Sequence, residues 1–265
     1  MPKPFALLLI LAVLAPPAAA FDVGDPWFRG PEEGPANRIE FVYESMSRSL
    51  RTQLDRPLLG TPSTGPTMIG PQPAGESGRD KGDIFLVRWV HQPVEMVSTQ
   101  LDVGFTGGEG DDGTSIIVGG AVRFLLKESG PFQLSTQFDG HYIPNVEQGG
   151  SGVSIVRGPY TYTGDYRVHE FGVAVLGSMT AEVNDQVRIM AYGGPRISTY
   201  RGRMESHADY PDTGDRIWLT GVTKQASVFG VVLGSRIDWG AHWSARVEAR
   251  LIEEQSLSAS LMASF

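Results

Sequence analysis

The chain has 265 residues, 41% of them hydrophobic, with 33 glycines, no cysteine and a formal charge of −8. The lack of cysteine excludes a disulfide framework, thiolate chemistry and zinc–thiolate sites, and the negative charge leaves no basic footprint for nucleic acid. No stretch after the N-terminal segment is a continuous apolar run of membrane-helix length, about 20 residues. The remaining way for such a chain to span a membrane is a closed barrel, whose alternation hides it from hydropathy.

In chain order, residues 1–20 read as a cleaved signal peptide: Lys3 supplies the positive end, Phe5 to Leu14 the apolar run, and Ala18-Ala19-Ala20 the cleavage site. An N-terminal extension follows over 21–36, and 37–265 is expected to form the folded domain. Residues 37–56 carry two readings. As a strand, Ile39, Phe41 and Tyr43 face out while Glu40 and Glu44 face in. As a helix, Ile39, Val42, Tyr43, Met46 and Leu50 form a stripe, with Asn37 and Glu40 as capping pair and Pro57 beyond the end. The stretch 56–82 opens with a Pro/Gly/Ser/Thr-rich run to Pro73 and is expected to be a loop.

From there the chain alternates with period two, which predicts strand after strand. Phe85, Val87 and Trp89 face out with Arg88 inward, and Gln92-Pro93 reads as a hairpin turn. Val97, Leu101, Val103 and Phe105 oppose Gln100 and Asp102; Ile116, Val118, Val122 and Phe124 oppose Gly119, Ala121 and Arg123. Phe132, Leu134 and Phe138 oppose Gln133, Gln137, Asp139 and His141, and Phe171, Val173 and Val175 oppose Glu170, Gly172 and Ala174. Val187, Ile189, Ala191 and Ile197 oppose Arg188, Tyr192 and Arg196; Phe229, Val231, Leu233 and Ile237 oppose Gly230, Gly234 and Arg236. In 242–252 the outer face is Trp243, Ala245, Val247, Ala249 and Leu251, and the inner face is Ser244, Arg246, Glu248 and Arg250. Arg or Lys facing lipid at mid-depth costs about 2–4 kcal/mol, so the charged face must be the interior.

The connections alternate short and long. Gln92-Pro93, 127–130, 180–185 and 239–241 are short; 107–113, 143–165 and 201–215 are mostly longer and polar, with 253–255 a short exception. Trp89, Phe124, Phe132, Trp239, Trp243 and Phe265 gather near the short turns on the outward face, and Phe105, Tyr142, Tyr166 and Tyr200 near the opposite ends. Two aromatic belts and this turn asymmetry are features of outer-membrane barrels.

The last nine residues, Leu257 to Phe265, place Leu257, Ala259, Leu261, Ala263 and Phe265 on one side and Ser258, Ser260, Met262 and Ser264 on the other. This strand resembles the closing strand of Gram-negative outer-membrane barrels, and the chain as a pattern resembles the small OmpA-, OmpX- and OmpW-type barrels. The resemblance implies location in the outer membrane, contact with outer-membrane lipids and lipopolysaccharide, and recognition of Phe265 by the barrel-assembly machinery as an assembly signal. The expected fold is all-β, a transmembrane antiparallel up-and-down barrel of ten strands, or eight if 37–56 is helical.

The expected interior is a charged network of Arg88, Arg123, Glu170, Arg188, Arg196, Arg236, Arg246, Glu248 and Arg250, joined by Glu40, Glu44, Asp102 and Asp139. A barrel of about eight strands is just filled by side chains, so opposed charges should pair as a structural polar core, with a narrow, arginine-lined, porin-like channel as the alternative. The expected role is therefore non-enzymatic, in envelope structure or surface interaction, without cofactor or metal. Catalytic readings are weaker. Asp139 and His141 with Asp111 and Asp112 resemble the acid/imidazole sets of omptin proteases, and His169 with Glu170, or His207 with Ser206 and Glu205, contain the residue types of lipid A-modifying barrels. Glu109, Asp111 and Asp112 contain calcium-type ligands but not the spacing of a twelve-residue calcium loop.

Overall fold

The computed structural model describes residues 23–24, 26, 37–55, 58–60, 67–68, 76–108, 114–154, 158–225, 228–240, 242–252 and 254–265. The expected signal peptide lies outside these residues, as does most of the 21–36 extension.

The described residues form one antiparallel sheet. In chain order its strands are β1 (Asn37–Leu54), β2 (Leu58–Gly60), β3 (Thr67–Met68), β4 (Glu76–Val94), β5 (Val97–Gly108), β6 (Ser115–Ser129), β7 (Phe132–Ser154), β8 (Gly158–Asn184), β9 (Val187–Tyr210), β10 (Asp215–Gln225), β11 (Phe229–Trp239), β12 (Trp243–Leu251) and β13 (Glu254–Ser264). The sheet closes on itself. β13 pairs β1, β1 pairs β4, β4 to β9 pair in succession, and β9 pairs β11, which returns through β12 to β13. That ring has ten strands and leaves its main-chain groups paired on both sides of every strand.

Residues 37–54 are therefore strand, not helix. Arg38 to Arg48 pair with β13, and Asn37 to Thr52 with β4. The helical stripe over 37–56 reflects apolar residues that occur on both faces of β1. Val42 is buried inside the barrel while Phe41 and Tyr43 are exposed outside.

The upper part of the molecule departs from a simple cylinder. The β12–β13 hairpin is short, and above its tip β1 pairs β10 directly, from Leu50↔Gln225 to Leu54↔Gly221. β10 and β11 are successive stretches along the same edge of β9, Lys224 opposite Arg201 and Phe229 opposite Ile197. Four residues on that edge face three on β9, so the side-chain phase inverts: Phe229 faces out, and so does Lys224. Above the ring, β4, β1, β10, β9, β8 and β7 continue as a one-sided wall.

Four expected connections are corrected. Residues 143–165 and 201–215 are mostly strand, because β7, β8 and β9 run on to 23, 27 and 24 residues, against the roughly 9–11 that span a membrane. Gln92-Pro93 is not the turn: β4 continues to Val94 through a register shift between His91 and Val94, and the turn is Glu95-Met96. Proline is tolerated there because the bulge leaves its missing N–H out of the ladder, and the Gln92 side-chain amide donates to the Glu95 carbonyl at 3.1 Å. Within the expected loop 56–82, β2 and β3 pair as a small hairpin and β4 begins at Glu76.

Candidate functional site

The lumen concentrates the polar chemistry of the chain. Even-numbered residues of β1, β4 and β5 and their cross-strand partners point inward, so register alone brings Glu40 opposite Arg88 and Arg88 opposite Asp102. Arg88 donates to both oxygens of Asp102, at 2.8 and 3.0 Å, a two-pronged geometry that fixes both groups. Gln100 and His141 also meet Asp102 Oδ2, at 2.8 and 2.9 Å. His141 has room because its cross-strand partner is Gly119, where a Cβ would stand 2.1 Å from the imidazole.

A second knot surrounds Glu248. It accepts from Arg246 at 3.2 Å, Arg250 at 3.1 Å and the Tyr192 hydroxyl at 2.8 Å, while Arg246 also reaches Glu40 at 3.3 Å and Arg38 pairs with Glu40. A third lies higher. Arg196 joins Asp139 at 2.7 Å and Glu170 at 3.2 Å, and Arg48 closes on Glu170 at 2.7 Å while lying over the Tyr200 ring. Two apolar clusters interleave with these knots: Val42, Ile84, Leu86, Ile117, Ile143, Val168 and Tyr200 in one, Val23, Ala174, Leu176, Met190, Tyr192 and Val232 in the other.

Val23 belongs to the N-terminal extension, yet it is wholly buried in the barrel. Its N–H donates to Glu248 at 3.0 Å, and its carbonyl accepts from Gln137 at 2.7 Å and Arg123 at 3.3 Å. Gly24 follows with φ +79°, and a Cβ there would lie 2.9 Å from an Arg88 nitrogen. Only glycine adopts that turn readily and leaves the guanidinium its space. A piece of backbone thus replaces the side chains or water that would otherwise satisfy the middle of the lumen.

Of the residues expected inside, Arg88, Arg123, Glu170, Arg196, Arg236, Arg246, Glu248 and Arg250 are buried. Arg188 is not. It shares the inward phase of β9 but sits near the Asp185-Gln186 turn, where the barrel opens, and it is exposed. Arg38, Arg48 and Gln137 complete the network. Arg38 and Arg48 lie in phase with Glu40 and Glu44, a signal in the sequence, whereas nothing in the sequence marks Val23. Trp89, Phe124, Phe132, Trp239, Trp243 and Phe265 are all exposed on the outer surface, and register sets Trp239 opposite Trp243 and Trp243 opposite Ala263 at one rim.

The residues considered for catalysis are held in other pairs, though Asp139 and His141 share the inward face of β7. Asp139 is engaged by Arg196 and His141 by Asp102, while Asp111 and Asp112 lie outside the described residues. Glu170 faces in and His169 faces out, stacked on Tyr142 at 4.7 Å. His207 lies 3.5 Å from Asp209, and Glu205 pairs with Arg203 at 3.0 Å. On the same wall Arg216 grips Asp209 with two bonds, of 2.5 and 2.9 Å. The Arg216 hydrogen bond holds the Asp209 carboxyl below its ordinary value.

No family model matches the sequence, and no curated protein matches it. Among solved structures the chain is similar to an outer membrane channel of Pseudomonas putida F1, with a TM-score of 0.36 and 10% identity over 93% of this chain and 100% of that one. It is similar to the translocator domain of the autotransporter NalP from Neisseria meningitidis, with a TM-score of 0.38 and 11% identity over 86% and 88%. It is also similar to the toluene transporter TodX of Pseudomonas putida, with a TM-score of 0.32 and 8% identity over 88% of each.

Proposed function

We propose that the protein is an integral, non-enzymatic outer-membrane barrel with a filled lumen, and that it meets its surroundings through the wall formed by β7 to β10. The observation that carries this reading is the centre of the barrel. Arg88, Asp102, Glu40 and Glu248 have 0–1% exposure, and Val23 is hydrogen-bonded to Glu248, Gln137 and Arg123 beside them, so that the described residues crowd the middle of the lumen. On the outer surface, Phe41, Phe85, Leu101, Phe105, Phe138 and Phe171 are exposed, an apolar band that water would not tolerate but hydrocarbon does.

Membrane fractionation and gel mobility with and without boiling test the barrel reading. Recovery in the outer-membrane fraction with heat-modifiable mobility is expected; a soluble periplasmic protein indifferent to boiling would overturn it.

A second reading is a small anion-preferring channel. It is favoured by the charge of the lumen: among the described buried residues, eight arginines (38, 48, 88, 123, 196, 236, 246, 250) face six carboxylates (40, 44, 102, 139, 170, 248). Displacement of the Val23 segment would expose that excess to solutes.

A further inference from the structure

The outer face of the wall carries a cation pattern that the lumen does not explain. Register places Arg51 opposite Lys224, Lys224 opposite Arg201, and Arg201 opposite His169, one residue from each of four neighbouring strands. One step higher, Arg203 stands opposite Arg167. All six side chains are exposed. Directly opposed like charges destabilise a sheet, and such a row is stable only where something anionic lies against it.

The next outward row holds Asp165 opposite Glu205, and these acids satisfy little of the cations below. Glu205 pairs with Arg203, but among the described residues Arg51, Arg167, Arg201 and Lys224 have no ion-pair partner. On three of its strands the row borders the apolar surface. Phe171 is the next outward residue below His169, and Ile197 and Phe229, paired to each other, end the apolar band just beneath. On β8, β9 and β10 the cations border an apolar band, and such cations stand where headgroups begin; on β1, Ser45, Ser47 and Ser49 lie between Tyr43 and Arg51. In a protein of net charge −8, their gathering on this face is a local reversal of sign.

We propose that this row, Arg51, Lys224, Arg201, Arg203, Arg167 and His169, is a binding site for the phosphate-bearing headgroup of an outer-leaflet glycolipid, the phosphorylated sugar of lipopolysaccharide. Three strand steps separate Arg51 from His169, about 14 Å at the usual strand spacing, so the site meets more than one phosphate. Arginine forks suit phosphate oxygens, and Lys224 adds a point charge. The acyl chains then lie on Phe171, Ile197 and Phe229. The inference rests on the outer-membrane reading and on its outward orientation.

The test uses the full mature chain, refolded into phosphatidylcholine vesicles doped with bis-phosphorylated lipid A or with the same lipid dephosphorylated. Lipid bound per protein is read by native mass spectrometry. Each cation near an anionic surface contributes about 1 kcal/mol, close to fivefold in affinity. The combined Arg201→Gln, Arg203→Gln and Lys224→Gln variant should therefore bind phosphorylated lipid A on the order of 100-fold more weakly. Arg216→Gln, whose charge is held by Asp209, should bind as the parent does.

Equal retention of the two lipids by the parent, undiminished binding by the triple variant, or displacement by inorganic phosphate at matched concentration overturns the proposal. Heat-modifiable mobility verifies folding, and if the triple variant fails that check, Arg201→Gln alone should lose about fivefold. A parent chain that does not enter vesicles at all contradicts the barrel reading instead.

Discussion

Arg88 and Asp102 show what a single pair does inside a barrel. Both are fully buried and doubly bonded, and without Arg88 the Asp102 charge keeps only Gln100 and His141, at a cost of about 3–5 kcal/mol. Arg88→Met should lower the unfolding free energy in vesicles by that amount. Arg88→Met with Asp102→Leu should recover most of it, because desolvation of two charges offsets much of their attraction. A double variant as unstable as the single one would show that the pair contributes more than mutual cancellation. On the exposed wall, Asp209 is held below its ordinary value by Arg216. A depressed carboxyl contributes stability above its unfolded pKa and loses it as pH falls through the folded one. The wall should therefore loosen only below about pH 4, seen as faster hydrogen exchange in 205–220 at pH 3 than at pH 6 after correction for intrinsic rates. Asp209→Asn should abolish the difference.

The β12–β13 hairpin decides how many strands close the barrel at each height, and its tip carries a strained residue. Ile252 has φ 91°, a conformation that a β-branched side chain adopts only under strain, and it is exposed. Relief of that strain outweighs the entropy that glycine adds to the unfolded chain. Ile252→Gly should stabilise the barrel by about 1 kcal/mol in urea titration; a loss of that size would mean that the side chain packs against lipid or neighbour more than it strains. The inward and outward phase of the ring strands was legible from sequence because one face is apolar and the other lines a polar core. The wall was not legible. Residues 201–210 continue β9 beyond the apolar band, their outward side chains are charged or polar, and the apolar half of the period-two pattern is lost although the strand persists. The inversion between Lys224 and Phe229 escaped notice for a related reason. One extra residue flips the phase, and Val222 to Asp238 still reads as a continuous strand.

At the scale of the whole molecule, charge among the described residues is sorted by position: an arginine excess over six acids inside, and a group of cations on the outer face of the wall. The first of these was legible from the strand carrying Arg246, Glu248 and Arg250, since its charges alternate with an apolar face. The lumenal place of Val23 was not, since a residue held by its backbone bonds has no periodicity and no distinctive side chain. The most direct test of the filled-lumen account is planar-bilayer conductance of the folded, heat-modifiable mature chain, beside a variant lacking residues 21–26. The account predicts no reproducible single-channel steps from the parent and small, anion-preferring steps from the truncated chain. Steady channel steps from the parent, equal to those of the variant, would contradict it.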